Sequence, residues 1–231
     1  MARASSTWPE LSFPAEEADY LRNAYEKASV ILEYGSGGST KLAAEMEGKH
    51  VFSVESDRKW ATRLQLSIDK AELPSPAIVY HADIGQTGLW GRPTRCENWH
   101  RFRNYPLSIW REAFFRHPDL VLIDGRFRAA CMIAVMSLIE KDVTVLFDDY
   151  VDRKPYHLVE RKLKPKKTVG RMAVFNVQPG LIKPADLDLV TEAFSQATIA
   201  GAPALYDSPS NKVMQLQQDA MEKRKHGSRR K

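Results

Sequence analysis

The 231 residues, 43% of them hydrophobic, suffice for one full α/β core with extensions, and a single main domain is expected. The net charge of +5 is local: Lys223, Arg224, Lys225, Arg229, Arg230 and Lys231 occur without an acid over residues 223–231, which leaves the remaining chain nearly neutral and unlike a generally basic nucleic-acid binder. Cys96 and Cys131 are too few for a disulfide framework, no apolar run of about 18 residues offers a membrane span, and the first residues lack a signal core, so a reducing cytoplasm is the expected setting.

Residues 1–13 lack apolar periodicity and read as an arm. Pro14 to Ala28 reads as a helix, with Glu16 and Glu17 in its first turn and Leu21, Ala24 and Tyr25 on one face. Residues 1–28 thus precede a domain expected over 29–200. That domain opens with VILEYGSGGST, Val30 to Thr40. Val30, Ile31 and Leu32 suit a strand buried on both faces, and Glu33 reads as a charge placed where the sheet stops. Gly35, Gly37 and Gly38 allow positive φ and close approach to a ligand. Ser39 and Thr40 can cap a helix expected over Lys41 to Glu47, whose first N–H groups would aim at the same crevice. A dinucleotide fingerprint wants glycine at the first, third and sixth places, and the sixth place here is Thr40.

Glu33-Tyr34-Gly35-Ser36-Gly37 resembles the first motif of class I S-adenosylmethionine (SAM) methyltransferases, with Ser39 in place of the usual last glycine. The resemblance implies an α/β fold: a Rossmann-like sheet, mostly parallel with an antiparallel last strand, and helices on both faces. It implies that Glu33, Gly35, Ser36 and Gly37 form the wall around the methionine part of SAM. Tyr20 or Tyr25 could close over that cofactor from the helix ahead of the first strand, or could simply pack.

Val51 to Val54 is the expected second strand, ended by Glu55, an acid able to accept hydrogen bonds from two ribose hydroxyls of an adenosine. Asp57 can cap a helix through Leu73, with a stripe of Trp60, Leu64, Ile68 and Ala71. Ala77 to Tyr80 is the third strand, followed by His81-Ala82-Asp83-Ile84. The resemblance assigns Asp83 to the adenine amino group, and Ser56, Ala82 and Ile84 complete the predicted cofactor set beside the acids. His81 has no partner placed by sequence and reads as structural. Residues 85–118 form a long aromatic and arginine-rich insert with Trp90, Trp99, Phe102, Tyr105 and Trp110. Its place at the carboxyl ends of the strands suits a substrate pocket or lid, and its composition also suits a subunit interface, that is, a homodimer. Pro106 to Arg116 is predicted helical.

Leu120 to Ile123 is the fourth strand, ended by Asp124-Gly125. Ala129 to Ile139 is an apolar helix, and Thr144 to Phe147 the fifth strand, followed by Asp148-Asp149-Tyr150. Asp124, Asp148 and Asp149 end adjacent strands and should converge. Close carboxylates must be protonated, paired with arginine or bridged by a cation, and oxygen ligands favour Mg²⁺ or Ca²⁺. The trio resembles the Mg²⁺ site of cation-dependent O-methyltransferases of the catechol type and, through Asp-Asp-Tyr, of the macrocin type. That resemblance implies a metal-bound hydroxyl on a small or sugar-like acceptor, with Asp124 as the catalytic residue and a nearby carboxylate removing the hydroxyl proton. The competing reading pairs Asp148 or Asp149 with Arg126, Arg128 or Arg153 and needs no metal. A helix over Tyr156 to Leu163, a closing strand pair turning at Gly170 and an amphipathic helix over Pro184 to Ile199 complete the domain. Residues 201–231 read as an extension with a basic tail, where a phosphate-bearing partner such as RNA is the alternative to a solvated charge run. Asn-Pro-Pro-Tyr, the mark of base N-methylation, is absent after the fourth strand, where Asp-Gly-Arg-Phe stands.

Overall fold

The computed structural model describes residues 8–199; the extension over 201–231 with its basic tail, and the first seven residues of the arm, lie outside them. Helix α1 (Ala15–Lys27) precedes strand β1 (Val30–Tyr34), which turns into α2 (Gly38–Ala44). Strand β2 (His50–Glu55), helix α3 (Arg58–Ala71) and strand β3 (Ala77–His81) follow. After the insert, which contributes one helical turn, α4 (Asn104–Leu107), come β4 (Leu120–Ile123), α5 (Arg128–Leu138) and β5 (Val143–Phe147). The hairpin β6 (Lys167–Val169) and β7 (Met172–Val177) and the helix α6 (Leu187–Ser195) complete the unit.

The seven strands lie in the order β3-β2-β1-β4-β5-β7-β6. The first five are parallel, whereas β7 is antiparallel to β5 and β6 antiparallel to β7. The connections run outward from β1 to β3 and then restart at β4 beside β1. A crevice therefore opens between the carboxyl ends of β1 and β4, the switch point at which open α/β sheets bind ligands.

Although the strands are apolar throughout, their pleat sorts residues by parity. Leu32 and Tyr34 of β1 join Phe52, Val54, Val121 and Ile123 in the layer covered by α5 and the insert. Ile31 joins Val51, Leu120 and Leu122 in the layer covered by α1, α2 and α3. Helix α5 is buried on nearly every side because the sheet lies beneath it, with α4, α6 and the 3₁₀ segment Lys154–Arg161 packed around it. Asp57 caps α3, its carboxylate accepting the Trp60 N–H at 2.9 Å, which matches the expectation.

Four expectations about helices change. Helix α2 begins at Gly38 and ends at Ala44, earlier at both ends, because Thr40 caps from inside the first turn: its Oγ1 accepts the Gly37 N–H at 3.1 Å. The helix over Pro106 to Arg116 is reduced to α4 and a 3₁₀ turn, Ser108–Arg111, since Tyr105, Pro106 and Ile109 are drawn into the core on a tighter path. The helix over Tyr156 to Leu163 is the 3₁₀ segment Lys154–Arg161. Helix α6 stops at Ser195, with Leu189 and Ala193 turned inward and Leu187 outward.

Candidate functional site

A cavity of about 870 Å³ opens at the switch point. Its walls come from the glycine loop Gly35–Ser39, from Glu55 to Trp60, from Asp83, from the insert between Gly85 and Gly91, from Asp124 to Arg126, and from Leu11 to Phe13. Gly35 holds φ +113°, and a side chain there would strike the backbone N of Gly125 at 2.9 Å. The loops after β1 and β4 therefore press together backbone to backbone, which only glycine at both positions permits. Gly38 meets the backbone of Glu10 and Leu11 in the same way, so the N-terminal segment closes one side of the loop. Of the two readings for Tyr20 and Tyr25, packing is the one observed, since Tyr25 lies in the core and Tyr20 packs against it, while Leu11, Ser12 and Phe13 border the cavity.

Glu55 ends β2 inside this cavity. Its Oε1 accepts the N–H groups of Ser56 at 2.7 Å and Asp57 at 2.9 Å, and its Oε2 accepts the Ser36 hydroxyl at 2.9 Å. Burial raises the Glu55 pKa, and the Asp57 N–H and Ser36 hydroxyl oppose the rise. Ser36 is also fixed by the Trp60 indole, whose N–H lies 3.1 Å from the Ser36 carbonyl oxygen. Asp83 lies half-exposed in the wall, its carboxylate accepting the Gly85 N–H at 2.9 Å and pairing with Arg101 at 3.1 Å.

Several predicted site residues sit elsewhere. Glu33 is fully buried and walled off from the cavity. It shares the pleat face of Ile31, so its carboxylate enters the layer beneath α1 and α2, where it accepts the hydroxyls of Tyr25 at 2.6 Å, Thr40 at 2.6 Å and Ser53. Burial raises its pKa against the pull of these donors. Ala82 and Ile84 flank Asp83 but turn away into the core beside Phe102 and Tyr105, whereas Ser56 does line the cavity. His81, read as structural, lines it too.

The three aspartates do converge: one carboxylate oxygen from each lies within 4.8 Å of the others. Arginines already occupy them. Arg128, the first residue of α5 and 95% buried, donates to the Asp124 carboxylate at 2.9 Å, the Asp124 carbonyl at 2.7 Å and the Asp148 carbonyl at 2.5 Å. Its guanidinium also lies 3.3 Å from Asp149. Arg171, from the β6–β7 turn, binds both oxygens of Asp148 at 3.0 and 2.9 Å, the two-pronged geometry that suits a carboxylate. Asp149 takes Arg153 at 2.7 Å and Arg171 at 3.2 Å, and its backbone is held at φ +55°, an uncommon conformation for a non-glycine residue.

Three carboxylates thus meet three guanidinium groups, with no charge left for a divalent ion to neutralise. A Mg²⁺ ion would have to evict Arg128, Arg153 or Arg171 from the oxygens it needs, so the donor set does not fit one. Burial would raise the Asp149 pKa, but Arg128, Arg153 and Arg171 together hold it below the ordinary value. Asp124 differs. About a third of its side chain stays open, and burial, with Asp148 and Asp149 adding to it against Arg128, raises its pKa to about 7. Of the three arginines that the sequence offered as partners, Arg128 and Arg153 pair with the aspartates, whereas Arg126 pairs with no carboxylate among the described residues.

No family model and no curated protein matches the chain. Among solved structures it is similar to a methyltransferase-like protein from Silicibacter pomeroyi, 46% identical over 82% of this chain and 98% of that one, with a TM-score of 0.79. It is also similar to an RNA methyltransferase from Salinibacter ruber in complex with S-adenosyl-L-homocysteine, 12% identical over 75% of this chain and 97% of that one, at a TM-score of 0.46. A SAM-dependent O-methyltransferase from Thermotoga maritima is 9% identical over 74% of this chain and 63% of that one, at 0.42. Overlaps as loose as these last two say nothing about an acceptor.

Proposed function

This chain belongs to the class I SAM-dependent methyltransferases, and from that premise we propose that it moves the methyl group of SAM to an oxygen of a small hydroxylated molecule. One observation carries the reading: Glu55 and Asp124, at the ends of the strands flanking β1, face one cavity across the glycine loop. When bound, SAM supplies an electrophilic methyl on sulfur; the acceptor oxygen bonds to it, the carbon–sulfur bond breaks and its electron pair stays on sulfur as a thioether.

The residues divide the remaining work. Gly35 to Gly37 let the backbone approach the methionine part, Glu55 takes the ribose hydroxyls, and Asp83 borders the place for the adenine edge. Asp124 receives the proton that the acceptor hydroxyl gives up, since a carboxyl with a pKa near 7 can gain and lose a proton at neutral pH. Arg128 keeps the neighbouring charges fixed while this happens. No step is assigned to a divalent ion.

Calorimetric titration with SAM and with S-adenosylhomocysteine tests the donor site. We expect both to bind, and Glu55→Ala to weaken each by about tenfold or more while the fold is kept, the scale of losing hydrogen bonds to a charged group. Absence of binding by the unaltered protein would overturn the reading.

A further inference from the structure

Arg128, Arg153 and Arg171 each have a carboxylate partner, but Arg92 and Arg126 have none among the described residues. In both, the Nε is buried without a hydrogen-bond acceptor. Arg126 lines the cavity two residues beyond Asp124, and Arg92 follows Gly91, which lines it from the insert. The two guanidinium groups are close enough to repel: burial weakens the hold of Arg126 on its proton, and Arg128 and Arg92 weaken it further. Burial does the same to Arg92, with Arg153 adding to it. Around the cavity edge, five guanidinium groups thus influence one another while only three of them have a carboxylate partner among the described residues. A cation whose Nε is buried without a partner is costly, and an anion entering beside two neighbouring ones would remove that cost.

We propose that Arg92 and Arg126 form an anion seat for the methyl acceptor, which is thus a hydroxylated carboxylate or phosphate ester whose charged group docks there while its hydroxyl reaches Asp124. Carboxylate and phosphate both match the guanidinium fork, and both leave the neutral end of the molecule free to face the methyl group. The assignment rests on the methyl-transfer reading above. It also gives the insert a role: Arg92 arrives on it, so the segment that encloses the cavity carries half of the seat.

Inorganic phosphate and lactate, titrated by calorimetry into the full chain saturated with S-adenosylhomocysteine, test this. We expect at least one to bind, the tighter of the two identifying the source of the charge, and Arg92→Gln and Arg126→Gln each to weaken it by about tenfold or more. Because each Nε lacks a partner, neither substitution should lower the thermal midpoint, and Arg126→Lys should retain phosphate better than lactate, whose planar fork it cannot match. The proposal is overturned if neither anion binds, if binding survives both Gln variants, or if these variants weaken S-adenosylhomocysteine by the same factor, which would assign the pair to the cofactor's own carboxylate. Failure of S-adenosylhomocysteine to bind the unaltered protein would instead strike the methyl-transfer reading, and the anion titrations without it would still report on the seat.

Discussion

At the ends of β1 and β2, Glu33 and Glu55 are held by neutral donors, three hydroxyls for one and two N–H groups with a hydroxyl for the other. At the ends of β4 and β5, Asp124, Asp148 and Asp149 are held by guanidinium groups. Neutral donors leave burial to decide the outcome, and both glutamates are pushed up. Cationic donors instead split the outcome within one cluster, holding Asp149 down while Asp124, partly open and beside two other carboxylates, rises to about 7. One half of the edge is thus arranged to recognise by hydrogen bonds. The other places a proton acceptor among charges that cannot move.

Breaking the second half has the largest expected effect. Arg128→Ala strands Asp124 and the carbonyls of Asp124 and Asp148, and we expect about 3–5 kcal/mol of lost stability in denaturant unfolding, as for other buried pairs that lose one partner. A loss below 1 kcal/mol would mean that the arginine is not the hub of the cluster.

The pH response sharpens the contrast next. A carboxyl whose folded pKa is raised lends stability that is complete below its ordinary value of 3.8 and disappears as pH climbs through about 7. Over that window the unaltered protein should lose stability relative to Asp124→Asn, and carbon NMR of the Asp124 carboxyl should show the titration directly. Titration at the ordinary value would remove it as the proton acceptor.

Glu33→Gln probes the first half more gently. With three hydroxyls able to turn, the cost should be about 1 kcal/mol, and the affinity for S-adenosylhomocysteine should not change, because Glu33 does not reach the cavity. A tenfold weaker affinity would restore the sequence-based role. The smallest expected effect is none at all: Mg²⁺ or a chelator should leave both cofactor affinity and thermal midpoint where they were, and a chelator-sensitive activity would show that an ion displaces the arginines.

The strands and their order of appearance were readable because each is a short apolar run ended by a polar residue, and Asp57 announced α3 through its spacing to Trp60. The turn at Gly170 was readable too, since the backbone there adopts φ +52°. Glu33 was misplaced because the motif names a residue but not a face, although counting from Ile31 gives the parity that buries it. The three aspartates were legible as a cluster. Two of their partners, Arg128 and Arg153, were legible as well. Arg171 was not, because it lies 23 residues from Asp148 and reaches it through strand pairing that no local pattern records. The insert's tight path was illegible for a related reason: Tyr105 and Ile109 follow the core they fill rather than a helical period.

The backbone N–H of Arg171 donates to Glu17 of α1 at 2.9 Å, across a separation of 154 residues, while its side chain grips Asp148. During synthesis, then, the first helix leaves the ribosome long before its clasp exists, and the acids after β5 emerge ahead of two of their counter-ions, Arg153 and Arg171. Truncation anywhere before the last hairpin would remove this clasp from the first helix together with the end of the chain.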